Sequence, residues 1–338
     1  MKSVFTGLGV VLLAATLLSG CERPSMDSAQ GGYRGTGMAQ ISNPRLNAAR
    51  DATQPLPAAI PAAAAGGPLA KEVFKNVPLL GELSVGEFTR TMLAITAWVA
   101  PKEGCAYCHA NGEDLSSDKL YTKVVARKML EMTRHINVDW KAHVADTGVT
   151  CYTCHRGQPV PAQVWFTDPG PKRAGGASAD SAGQNHPAVQ AGLSSLPFDP
   201  LTPFLLQDTP IRVVSQAALH SGNAANIKQT EWTYGLMTYV SQSLGVNCTH
   251  CHNSRSFTEW AQSPPARTVA FHGFRMTRDL NKNFLEPLTT TFPAQRLGPG
   301  GDAPKVGCAT CHQGVNKPLH GAPLLKGHPV LAVKSTSP

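Results

Sequence analysis

The chain has 338 residues, 42% of them hydrophobic and only 15% charged, a size that accommodates one large or two modest domains. A formal charge of +8 raises nucleic acid or acidic lipid as partners, but the 30 Lys and Arg residues are scattered without a basic block, so no nucleic-acid partner is expected. With 31 Gly and 27 Pro, long sheets and long uninterrupted helices are disfavoured, and beyond the extreme N-terminus no stretch approaches the roughly 18 apolar residues that span a bilayer.

Lys2, an apolar run from Leu8 to Leu18, and then Leu18-Ser19-Gly20-Cys21 have the three regions of a bacterial export signal. Residues 1–20 read as a lipoprotein signal peptide, with Cys21 lipidated as the mature N-terminus and anchoring the chain to the membrane by two acyl chains. Residues 21–70 turn to Ala, Pro, Gly, Ser, Asn and Gln, as in Pro55-Leu56-Pro57 and Ala62-Ala63-Ala64-Ala65-Gly66-Gly67. Such a composition cannot bury a core and predicts an extended tether running along a partner or the protein itself.

Ser84-Val85-Gly86-Glu87 is a capping box that opens a helix through Trp98, stopped by Pro101, with Met92 in its middle. Cys105-Ala106-Tyr107-Cys108-His109 follows. A second helical stretch carries Met129, Met132 and His135, and His143 stands at its end, ahead of Cys151-Tyr152-Thr153-Cys154-His155. After a Gly/Ser/Ala-rich connector, Thr230 begins a further helix through Met237, with Gly245 as its stop. Cys248-Thr249-His250-Cys251-His252 comes next, then Met276, then Cys308-Ala309-Thr310-Cys311-His312.

Cys-x-x-Cys-His is the attachment signature of c-type haem. Two thiols at this spacing reach the two vinyl groups of one porphyrin, and the adjacent imidazole turns under the iron. A single copy competes with a redox dithiol or half a zinc site. Four copies that consume eight of nine cysteines, leaving only Cys21, predict four covalent haems. Their eight propionates offset the basic chain, which would fall to +7 on losing Lys2 and to about −1 with four ferrous haems.

An electron-transferring haem closes its sixth position with Met or His. Met92 and Met237 lie 17 and 15 residues before His109 and His252, each in a helix leading into a motif. Met132-Thr133-Arg134-His135-Ile136-Asn137 echoes Met276-Thr277-Arg278-Asp279-Leu280-Asn281, which predicts two duplicated dihaem halves. Repeat logic leaves open whether Met132 and Met276 are shared ligands, or whether Met129, which matches Gly273, is peculiar to the first half. Among the non-motif histidines, His143 stands at the end of a helical stretch just before the second motif and so is already near haems.

Together with Phe88-Thr89-Arg90-Thr91-Met92, Pro101-Lys102-Glu103-Gly104-Cys105, Val149-Thr150-Cys151 and Cys311-His312-Gln313-Gly314, these motifs resemble one family over essentially the whole chain. That family is the tetrahaem cytochrome c subunit of purple bacterial photosynthetic reaction centres. The resemblance implies three His/Met haems and one bis-His haem: Met92 with His109, Met129 with His155, Met237 with His252, and His143 with His312. It further implies a periplasmic subunit seated on the reaction-centre L and M subunits. This subunit re-reduces the photo-oxidised bacteriochlorophyll pair and is fed by a soluble cytochrome c or high-potential iron–sulfur protein. The third motif would lie nearest the pair and the first would receive the donor. The expected fold is mainly α with extensive coil, a multihaem cytochrome c divided into signal (1–20), tether (21–70), first dihaem half (71–168), connector (169–212) and second half with C-terminal tail (213–338). A multihaem enzyme would need an iron with an open position, which four sixth ligands deny. A lipid-anchored carrier serving another respiratory oxidase or reductase is the alternative.

Overall fold

The computed structural model describes residues 25–31, 38–110, 114–170, 186–192, 194–213 and 227–334. The signal segment and Cys21 lie outside them. The described residues are mostly helix and coil, with two small antiparallel hairpins. One pairs β1 (Asp27–Gln30) with β2 (Ala39–Ser42) in the register Asp27↔Ser42; the other pairs β3 (His186–Ala188) with β4 (Ser194–Leu196). Among the described residues no helix is long and apolar enough to cross a membrane.

A helix precedes each haem motif: α2 (Val85–Val99), α3 (Tyr121–Asp139), α5 (Ile227–Leu244) and α6 (Ala266–Leu280). In α2 the Ser84 hydroxyl accepts from Glu87 N at 3.2 Å, as a capping residue should, while the Glu87 carboxylate turns to Arg90 Nη1 at 2.7 Å. Its buried positions Arg90, Thr91, Ala94 and Trp98 form one stripe. Helix α5 begins three residues ahead of Thr230, at Ile227. It stops where expected: Gly245 has φ +64°, and a Cβ there would meet the Gly314 carbonyl at 2.2 Å, so both dihedral and space require glycine. Helices α3 and α5 reach 19 and 18 residues. The high Gly and Pro content did not forbid this, because those residues concentrate in the connections.

Three apolar clusters form the core. The first joins Ala94, Trp98 and Leu130 to Leu319, Val330 and Leu331, so the C-terminal tail packs into the first half of the chain. The second gathers Trp165, Phe204, Leu205, Leu236 and Phe274, and the third lies between α3 and α6 around Ile136, Met276 and Leu280.

The two Met-Thr-Arg helices make matching bonds. Asn137 Nδ2 donates to Val149 O (2.9 Å) and Leu331 O (2.8 Å), while its Oδ1 accepts from Val149 N. Asn281 Nδ2 donates to Val306 O (3.0 Å) and Leu205 O (2.8 Å), and its Oδ1 accepts from Val306 N. Arg134 reaches Val330 O as Arg278 reaches Phe204 O. Each asparagine therefore fixes the strand of chain two residues before a Cys-x-x-Cys-His turn, α4 (Cys151–His155) or α7 (Cys308–His312).

The described part of the segment expected as an extended tether along a partner or the protein itself runs along the protein. Helix α1 (Pro44–Asp51) follows β2, whose Ile41 N donates to Asn247 Oδ1 (2.8 Å) beside the third motif. Gln54, 5% exposed, bonds to Gln313 O, Arg156 Nη2 and Leu319 N. Pro55 O accepts from the Tyr152 hydroxyl and Pro61 O from Arg90. Backbone carbonyls and amides, the Gln54 amide and Ile60, which packs against the first cluster, dock it as a strap.

Candidate haem-binding site

The four motifs fold in two ways. The first and third take 3-10 turns (Gly104–Tyr107, Cys248–His250), and the second and fourth are the α turns α4 and α7. In the first and third, the histidine amide donates to the first cysteine's carbonyl at 2.9 Å, which carries the imidazole to the same side as the two thiols. Turns α4 and α7 both end in a left-handed residue, Arg156 (φ 51°) and Gln313 (φ 49°). These residues lock the turns together, Arg156 Nη2 toward Cys311 O and Gln313 Nε2 toward Cys154 O, each at 3.4 Å.

The imidazoles carry the clearest signal. Each motif histidine donates Nδ1–H to a backbone carbonyl: His109 to Leu115 O (2.9 Å), His155 to Gln158 O (2.9 Å), His252 to Phe257 O (3.0 Å) and His312 to Val315 O (3.1 Å). A carbonyl can only accept, so Nδ1 holds the proton and Nε2 presents its lone pair, the arrangement of an oriented metal ligand. His143 does the same with Val269 O at 3.0 Å. Among the described residues, His135 and His320 do not. His135 spends both nitrogens on Asp139 (2.7 Å) and Asp279 (2.6 Å), and His320 faces Asp51.

His143 and His312 face each other with ring centres 6.1 Å apart. Two imidazoles on opposite sides of one metal, with metal–nitrogen bonds of about 2 Å, would have centres roughly 6 Å apart. Gly273 makes room for this pair, since a Cβ there would lie 2.7 Å from His143 Cε1. Burial, reinforced by the neighbouring His143, pushes the His312 imidazole down to about 4, and burial lowers His143, His155 and His252 as well. All four rings are thereby kept neutral and able to ligate.

A cavity of about 1160 Å³ contains the first two sets together: Cys105, Cys108, His109 and Met92 with Cys151, Cys154, His155 and Met129. It exceeds the usual volume of a single-ligand pocket and is lined mostly by apolar groups. Met132 lines it too, so the cavity by itself does not choose between Met129 and Met132. Met276 is buried in the third cluster, and Met237 is half-buried beside the second. Six motif thiols are free, and burial raises Cys151 and Cys251 to about 11 and Cys308 to about 12, which keeps them protonated. Cys154 and Cys311, both expected to attach haem, are paired as a disulfide, Cα atoms 4.5 Å apart. The physical reason is the Arg156–Gln313 lock, which brings turns α4 and α7 into contact.

The residues fit the prosthetic group on these observations: free Nε2 lone pairs, paired imidazoles at metal-bridging separation, and an apolar chamber flanked by thiols. Sequence reading missed Gln54 and Lys123. Lys123 stands nine residues before Met132 as Arg267 stands nine before Met276, so extending the repeat alignment would have drawn attention to it.

Helical packing around Cys-x-x-Cys-His turns with Nδ1-anchored imidazoles defines a c-type cytochrome. Residues 22–332 match the family described as the photosynthetic reaction centre cytochrome C subunit. The chain is 55% identical to the photosynthetic reaction center cytochrome c subunit of Rubrivivax gelatinosus over 96% of its length and 88% of that protein. It is 54% identical to that of Thermochromatium tepidum (95% and 79%) and 40% identical to that of Roseobacter denitrificans (96% and 91%). The chain belongs to the photosynthetic reaction centre cytochrome c subunit family.

Proposed function

We propose that this chain is the electron-transfer subunit of a photosynthetic reaction centre and carries four covalent haems. The cysteine pairs that would attach them are Cys105/Cys108, Cys151/Cys154, Cys248/Cys251 and Cys308/Cys311, and the residues that would hold each iron are His109 with Met92, His155 with Met129, His252 with Met237 and His312 with His143. The protein takes electrons from a soluble cytochrome c or high-potential iron–sulfur protein and returns them to the photo-oxidised bacteriochlorophyll pair above the L and M subunits. It is held on the periplasmic face of the photosynthetic membrane by lipidated Cys21. The observation that carries the reading is the set of five Nδ1-anchored imidazoles, one for each motif plus His143.

Bound haem supplies a one-electron Fe(III)/Fe(II) couple. Around it, the backbone carbonyls orient the imidazoles, and the methionine helices bring a thioether whose softness favours the ferrous state, so Met-ligated sites have higher potentials than the bis-His site. The apolar chamber excludes water and keeps reorganisation small. The matched Asn137 and Asn281 bonds and the paired motif geometries support a duplicated dihaem unit. The first half, residues 71–168, recruits the C-terminal tail as the second, residues 213–338, uses Phe204–Leu205. Thioethers at Cys154 and Cys311 and the disulfide between them are alternatives for the same sulfurs. The mass of the intact mature protein decides: four haems per chain require both sulfurs to be free of each other.

Flash-induced absorbance changes on isolated membranes during a redox titration test the function. Haem oxidation following the flash, with three higher-potential components and one distinctly lower, is the expected result. Haems that titrate but do not respond to light would reduce the protein to a lipid-anchored carrier for another oxidase or reductase.

A further inference from the structure

The carbonyl that orients His109 is shared with a buried cation. Lys123 Nζ donates to Leu115 O at 2.7 Å, the same oxygen that accepts His109 Nδ1 at 2.9 Å, and to Ser117 O at 2.9 Å. Lys123 is 8% exposed and lines the chamber that contains Cys105, Cys108 and His109. Asp118 lies 3.4 Å away but is held more closely by Arg127 at 2.7 Å. A further described carboxylate, Asp114, bonds to Ser116 and also has Lys75 nearby. Among the described residues, Lys123, Arg127 and Lys75 are thus the cations set against Asp118 and Asp114. At the third motif Arg267 Nη1 approaches the equivalent Phe257 O only to 3.4 Å, and among the described residues no charged side chain reaches Gln158 O or Val315 O.

We infer that Lys123 is a positioning residue for the haem at Cys105/Cys108, acting through Leu115 O and His109 to raise that haem's potential above the value His/Met ligation alone would give. The inference rests on the proposed attachment of haem at this motif. A neutral carbonyl accepting from Nδ1–H gives the ring imidazolate character and strengthens its donation to ferric iron. An ammonium on the same oxygen withdraws that acceptor strength. The buried positive charge also disfavours Fe(III) relative to Fe(II) directly, since charges interact strongly where water is excluded. Both effects have the same sign. A mere staple of the 115–118 loop would need the hydrogen bonds but not the charge.

The test is an equilibrium redox titration of the four haems in membranes carrying the full complex, with Lys123→Met, Lys123→Gln and Lys123→Arg beside the parent. Lys123→Met and Lys123→Gln should make one wave about tenfold harder to reduce, about 59 mV for a one-electron couple, and leave three unmoved. Lys123→Arg should stay within about threefold of the parent. Four unchanged waves in Lys123→Met overturn the inference. So does an arginine variant displaced as far as methionine, because loop geometry rather than charge would then set the potential. If Lys123→Met fails to accumulate, the glutamine and arginine variants decide between the same two results. A parent protein whose Cys105/Cys108 peptide carries no haem by mass would instead remove the haem assignment itself, a failure distinguishable from an unmoved wave.

Discussion

Replacing Gly273 by alanine isolates the bis-His assignment, because steric and propensity arguments predict opposite signs. Gly273 lies within α6, where an interior Gly→Ala change normally stabilises a helix by roughly 1 kcal/mol. Here the new Cβ would stand 2.7 Å from His143 Cε1 and 2.9 Å from its Nδ1. Carbon contacts relax near 3.5–4.0 Å, so the ring must retreat by about 1 Å, several times the roughly 0.2 Å that a metal–ligand bond tolerates. The ring has little freedom, because Val269, one turn earlier on the same helix, holds its Nδ1. Overpacking of this kind costs about 1–3 kcal/mol, and relief comes most readily by abandoning the position opposite His312. The expected outcome is a chain that still carries four haems by mass but loses one low-spin bis-His signal in electron paramagnetic resonance, with the lowest potential wave displaced. A variant that is more stable than the parent, with four unchanged waves and signals, would refute the placement of His143 as a ligand.

Met237→Leu should move one high-potential wave downward and slow re-reduction of the photo-oxidised pigment pair after a flash; unchanged midpoints in redox titration would remove Met237 from the ligand set. Gln54→Ala should destabilise the holoprotein by about 1–3 kcal/mol, since the Leu319 amide and the Arg156 guanidinium lose a buried partner. Denaturant midpoints at constant slope measure it, and an unchanged midpoint would mean that the strap contributes nothing. Burial would raise the Asp279 carboxyl, but hydrogen bonds from His135, Asn283 and Trp140 outweigh it and hold the group below its usual value. A depressed carboxylate contributes stability above its unfolded value near 4 and loses it as pH falls through the folded value. The stability gap between the parent and Asp279→Asn should therefore narrow as pH is lowered below about 4; a pH-independent gap in acid titrations would show that the Asp279 carboxyl is not held below its usual value.

Much of this protein was legible locally. The four haem turns need only a five-residue pattern, because thiols and imidazole bind one macrocycle within a single turn of chain. The caps at Ser84 and Gly245 act over three or four residues, and both fall where the sequence put them. The repeat of Met132–Asn137 in Met276–Asn281 was visible as letters, but its purpose was not: each asparagine braces the chain entering a motif far along the sequence. Composition misled in one place: Gly and Pro counts said nothing about where helices could run long. It placed the N-terminal segment along a surface, but which groups dock it, the Gln54 amide and the carbonyls of Pro55 and Pro61, no composition records.

The sequence by itself set out the four Cys-x-x-Cys-His patterns and the mainly helical, coil-rich fold, since both follow from covalent reach and local backbone preference. The resemblance named His143 as the partner of His312; the tertiary structure shows their ring centres 6.1 Å apart, the lack of room for a side chain at Gly273, and the carbonyl that Lys123 shares with His109. Those are relations between groups distant in the chain. They depend on how α3 and α6 pack and on which buried donors find acceptors, and no spacing of letters encodes them.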